Sequence, residues 1–276
     1  MKQLSFLFIA LIATAGLFSN TSCNNTNSKA KKLGDTIAQN MILIEGGTYT
    51  MGTDTIDYEE IHSDQAPAHQ VTLKSFYICK YEVTQKEWEA IMKNNPSEFA
   101  LNGPNNPVEN VSWDDCQEFI QKLNETTGMK FRLPTEAEWE FAARGGNKSK
   151  GCRYSGNNDR YEVAVLYRDY DQGTDDVGTL LENELGLYDM SGNVYEFCQD
   201  FYGEYDAKSQ TDPINTNKSV YHVARGGAWF SASYNCTVTN RVKMAKSERA
   251  NGVGLRLAID VEDMKDFIQN NNDKSA

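Results

Sequence analysis

Histidine is scarce in this 276-residue chain: His62, His69 and His222 are the only three. They do not form an HxxxHxE-like arrangement, so the histidine-rich facial triad of non-haem iron chemistry has no donor set. His62 and His69 lie in an acidic loop and read as solvated side chains rather than metal ligands. The six cysteines include no CxxC pair, which leaves a zinc cage unsupported. Basic charge is in deficit, 27 Lys and Arg against 39 Asp and Glu, for a net charge of -12. Such a surface repels phosphate backbones and argues against nucleic-acid partners. No long basic run suits an anionic membrane face. The longest apolar run, Leu4–Phe18, is too short and wrongly flanked to be a stable spanning helix.

That run reads instead as part of an export signal over residues 1–22. Lys2 supplies the positive end, Ser19–Ser22 is small and polar, and Cys23 follows. The order resembles a bacterial lipoprotein signal, in which Cys23 becomes the lipidated first residue and anchors the chain to a membrane; plain secretion is the alternative. The expected location is the outer membrane or its periplasmic face. Residues 23–40 read as a flexible tether. Beyond Cys23 the cysteines are Cys79, Cys116, Cys152, Cys198 and Cys236. Their number is odd, so at least one thiol stays free or pairs outside the chain; Cys79, Cys152 and Cys198 are candidates for pairing, and Cys152 is expected to be exposed.

Three helices are announced by their caps. Thr84 with Glu87 and Thr135 with Glu138 are capping boxes, and Ser112 caps a third helix that Gly128 stops. In that third helix Cys116, Phe119, Ile120 and Leu123 form one apolar stripe, which gives Cys116 a structural role. Met41–Met51 reads as a strand, a glycine turn and a return strand. Gln70–Cys79, Val220–Gly226 and Gly252–Ile259 read as single strands. Gly145–Leu185 reads as a long loop, and the tail after residue 260 as amphipathic to about Ile268. One domain over residues 41–260 follows, with a tail at 261–276.

Seven phrases then fall in order: MILIEGGTYTMG at Met41, FYICKYEVTQKEWEAIM at Phe76, NPVENVSWDDCQEFIQKLN at Asn106, RLPTEAEWEFAARGG at Arg132, NELGLYDMSGNVYEFCQDFY at Asn183, RGGAW at Arg225 and GLRLA at Gly254. Together they resemble the formylglycine-generating enzyme (sulfatase-modifying factor) family. The resemblance implies an α+β, irregular C-type-lectin-like single domain with little regular secondary structure and bound calcium. It also implies an oxidase that converts a sulfatase cysteine to formylglycine with oxygen and copper(I) held by two cysteines. Other relatives are non-catalytic lipoproteins.

The copper residues carry over only in part. The first cysteine position is Ser231; the second is Cys236. A serine preceding the first cysteine matches Ala228, and a tyrosine before the second matches Asn235. A substrate-holding arginine falls near Met244, with Arg241 close by. Trp229, Tyr234 and Arg241 are the expected substrate-binding side chains. Copper(I) is soft and needs two thiolates, whereas a serine hydroxyl is hard and not ionised, so copper is not expected. The calcium phrase DMSGNVYE offers the carboxylates of Asp189 and Glu196 and the carbonyls of Gly192 and Val194 to a structural ion. The expected function is a non-catalytic envelope lipoprotein that binds or scaffolds another envelope protein, a peptide or a glycan. The alternatives are a formylglycine-generating oxidase or a divergent oxidase using Cys236 alone.

Overall fold

In the computed structural model, described over residues 32–55 and 63–273, the segment read as a tether already contains structure. Residues 32–39 form helix α1. Its Leu33, Ile37 and Ala38 lie four and five positions apart and pack on the main core, with Ile37 fully buried. The pattern is short and sits among polar residues, which hides it from a composition reading. Residues 1–22, Cys23 and His62 lie outside the described residues.

Helices α2 (Gln85–Met92), α3 (Trp113–Thr127) and α4 (Glu136–Ala143) start where their caps predict. At each start the cap hydroxyl accepts from the third helical N–H and the third side chain returns to the cap N–H. Gly128 closes α3 in the left-handed region. The apolar stripe of α3 is fully inward, and its Phe119 stacks on Trp88 of α2 at 4.9 Å.

Strands β1 (Met41–Ile44), β2 (Gly47–Met51), β3 (His69–Leu73) and β4 (Phe76–Cys79) correct the hairpin expected within 41–51. β1 and β2 do not pair with each other. β1 pairs with β4 and β2 pairs with β3, both antiparallel, with Ile44 opposite Phe76 and Gly47 opposite Leu73. The register is continuous, so one ribbon bends at Gly46 on one side and at Lys74–Ser75 on the other. A β-carbon on Gly46 would lie 2.4 Å from the Leu73 carbonyl, so the bend needs glycine. The Gly46 N–H donates to Ser75 Oγ at 3.0 Å.

The ribbon thereby serves two sheets. One has the order β1-β4-β10 and the other β2-β3-β6, where β6 is Gln210–Thr211 and β10 is Ala258–Asp260. The third sheet, β8-β7-β5-β9, joins β5 (Tyr195–Phe201), β7 (Tyr221–Arg225), β8 (Arg241–Ala245) and β9 (Val253–Gly254). The single strand expected over 252–259 is thus two short strands in different sheets. Every residue from Gly252 to Ile259 is buried, so the apparent alternation did not mark one inward face. Between α4 and β5 the chain is irregular apart from a 3-10 turn at Gly146–Lys148 and α5 (Arg160–Val163).

Helix α6 (Val261–Asp273) docks what was read as a tail: Met264 is buried and Phe267 packs on the core. With α1 and Tyr77 it borders an apolar groove of about 510 Å3. All five cysteines beyond Cys23 are free thiols. Cys79, Cys116, Cys198 and Cys236 are buried, and Cys152 is half-buried rather than exposed.

Candidate functional site

The segment after β7 opens with Gly226 and Gly227, both at positive φ (101° and 84°). A β-carbon on Gly227 would stand 2.4 Å from Cys236 Sγ, so glycine lets this backbone lie against the thiol. Ser231, 3 % exposed, turns its Oγ back to accept the Ala228 N–H at 3.0 Å. Cys236 ends a 3-10 turn (Ser233–Cys236) and packs with Tyr154, Val163, Ala164 and Leu166. Burial pushes its thiol up to about 12, so it is un-ionised at neutral pH. Tyr195 completes the site: burial pushes its phenol up to about 12, against hydrogen bonds to Ser231 and Asn240.

A strap from the long loop crosses this site. Tyr167 N–H donates to the Ser231 carbonyl at 3.3 Å and Arg168 N–H to the Trp229 carbonyl at 2.8 Å. The Tyr167 hydroxyl donates to Ser233 Oγ at 3.1 Å and accepts the Ser233 N–H at 2.8 Å. Tyr167 itself has φ 55°, a strained conformation for a bulky residue.

The expected substrate-binding residues divide. Trp229 is 4 % exposed, donates Nε1–H to the Asn251 carbonyl at 2.9 Å and meets Phe99 and Phe230 edge-on at 5.0 Å. It is a core ring, and the rings that reach solvent above it are Phe230 and Tyr170. Tyr170 and Tyr167 were missed because their loop carries no periodicity. Tyr234 is half-buried beside Cys236. Arg241 points elsewhere. Its Nε and Nη2 donate to the two Glu136 carboxylate oxygens at 2.7 Å, and Nη1 donates to the Gly203 and Asp64 carbonyls. The rings of Tyr205 and Tyr202 lie 4.1 and 4.6 Å from its guanidinium carbon. It is locked into the fold and has little left for a substrate.

The donor set does not suit copper(I), because it offers one buried thiol and one hydroxyl already bonded to backbone. For calcium the fit is uneven. Glu196, fully buried, accepts Arg256 Nη2 at 2.7 Å and Nε at 2.9 Å, and Trp139 Nε1 at 2.7 Å. Its lone pairs are filled, so it does not fit as a ligand. Asp189 is freer, with one oxygen accepting the Gly178 N–H at 2.7 Å. Among the described residues no group of three or more His, Cys, Asp or Glu side chains is arranged to hold a metal ion. His69 is buried rather than solvated, edge-on to Tyr205 at 4.9 Å.

Residues 26–261 match the model of the sulfatase-modifying factor enzyme 1-like domain. The chain belongs to that family. It is 32 % identical to the Chaperone protein LppX of Paenibacillus barcinonensis, over 92 % of this chain and 95 % of that one. It is 26 % identical both to the formylglycine-generating enzyme of Mus musculus (80 % of this chain, 75 % of that one) and to the inactive C-alpha-formylglycine-generating enzyme 2 of Bos taurus (82 % and 90 %). Among solved structures, Treponema denticola variable protein 1 superposes with a TM-score of 0.71 at 28 % identity, covering 80 % of this chain and 94 % of that one. The α+β, C-type-lectin-like single domain implied by the sequence is the fold of this family member.

Proposed function

We propose that this chain is a non-catalytic member of its family, an exported lipoprotein that uses the domain as a binding or scaffold module in the cell envelope. The observation that carries the reading is Ser231 where the resemblance expects the first of two cysteines, with Cys236 at the second position. The two positions together carry the chemistry of half a two-thiol metal site. The thiol that remains is buried and un-ionised, which also argues against a divergent oxidase using Cys236 alone. The similarity to a protein named a chaperone and to an inactive relative supports the same reading. Export and lipidation at Cys23 rest on the sequence pattern, and the partner is an envelope protein, peptide or glycan.

The test is turnover. The full chain is loaded with copper(I) and given oxygen and a CxPxR-containing peptide. No formylglycine product is expected; its formation would sink the non-catalytic reading. A Ser231→Cys variant that gains copper(I) binding while the parent has none would identify the loss as the cause.

We further propose a structural calcium ion at the Asp189 loop, held by Asp189 and the Gly192 and Val194 carbonyls rather than by Glu196. The support is charge. Buried Glu82, Asp189 and Glu196 face a single guanidinium, Arg256, and burial and the neighbouring carboxylates raise the first two. A bound cation offsets that excess.

A further inference from the structure

A cavity of about 500 Å3 lies beside β2 and the 202–219 excursion, within the size range of small-molecule pockets. Its polar floor is built and rigid. Glu136, Asp200, Arg241 and His69 line it and are 4, 5, 2 and 4 % exposed. Asp200 accepts the N–H groups of Glu136 and Asn215, both at 2.8 Å. Glu136 is paired with Arg241 and also accepts the Tyr205 hydroxyl at 3.0 Å.

These pairings decide what the cavity can hold. The arginine is spent, so an anion meets no free guanidinium. The carboxylate of Glu136 is spent too, Asp200 is held by two backbone N–H groups, and Glu204 and Asp206 are exposed at the rim with Asp206 bonded to Lys208, so a metal ion finds no buried open pair of carboxylates. The uncommitted groups are neutral or peripheral. His69 uses Nδ1 on the Pro67 carbonyl at 3.0 Å, which leaves Nε2. Asn217 and Lys218 stand exposed at the rim, and Tyr202, Pro213 and Ile214 add ring and aliphatic surface.

Scattered donors and acceptors beside aromatic surface complement a ring-shaped polyol. Its C–H faces pack on apolar walls while its hydroxyls pair with the rim. We infer that this cavity is a saccharide site that takes one sugar unit. It shares no residue with the Ser231–Cys236 site and stands whether or not that site is catalytic.

Saturation-transfer NMR on the full chain tests it, with glucose, galactose and N-acetylglucosamine each as a single probe. Transfer to the ring protons of at least one sugar is expected. Asn217→Ala should weaken that binding about fivefold, the loss of one neutral hydrogen bond, and Lys218→Ala by at least as much, the loss of a charge-assisted one. Both residues are exposed, so an unchanged melting temperature checks that the variants fold. Phe230→Ser, on the other site, should leave sugar binding unchanged. No transfer to any of the three sugars overturns the inference, as does transfer unaffected by a combined His69→Gln and Asn217→Ala change.

Discussion

Arg256 and Glu196 form a fully buried, two-point ion pair across 60 residues of chain. Arg256 also donates to the Cys79 carbonyl at 3.0 Å and the Tyr188 carbonyl at 2.8 Å. One guanidinium therefore joins β4, the Asp189 loop and β5. Removing one partner strands the other charge away from water. Arg256→Met should cost about 3–5 kcal/mol, read as a lower urea midpoint at unchanged slope. A loss below about 1 kcal/mol would show that the pair is not needed for the fold.

Glu109 gives a pH dependence. It is fully buried; Oε1 accepts the Phe99 N–H at 2.9 Å while Oε2 has no partner. Burial pushes its carboxyl up to about 7. The folded state thus binds a proton that the unfolded state releases near pH 4. The stabilising contribution is complete below the unfolded pKa and is lost as pH rises from there to about 7. Glu109→Gln removes that loss. The variant should match the parent near pH 4 and exceed it at pH 8 by about 1–3 kcal/mol. Equal stability at both pH values would contradict the assignment.

Helix α1 should matter to stability despite its tether-like composition. Ile37→Ala removes a fully buried side chain from the main core and should cost about 2–4 kcal/mol. Thermal unfolding measures it, and a neutral result would mean that α1 is detached in solution.

Calcium at the Asp189 loop predicts a chelator effect. Removing the ion should lower the melting temperature by several degrees, and Asp189→Ala should abolish that response. Glu196→Gln should leave the chelator response in place, because its oxygens belong to Arg256 and Trp139. A chelator with no effect on the parent would remove the ion from the account.

The parts legible in the sequence were those encoded locally. Thr84, Ser112 and Thr135 mark helix starts because a cap is a four-residue event. The ribbon was misread because its pairing is non-local: Gly46–Gly47 looks like a turn, yet it bends a strand whose partner lies about thirty residues on. Val253 to Ile259 was misread because neither face of that segment is exposed. At the site, Ser231 bonds back to Ala228 and Cys236 packs under the Tyr154–Leu166 cluster, arrangements that no local pattern announces. Arg241 was misplaced because spacing alone cannot show that Glu136, from α4, claims its guanidinium. Trp229 was misplaced for a similar reason, since Phe99 and Phe230 enclose a ring that composition suggests is a surface feature.

The two terminal helices α1 and α6 border one groove with Tyr77 between them, so the polypeptide enters and leaves the domain on the same side. A pull on either end of a domain built this way is borne first by these two helices rather than by the three sheets.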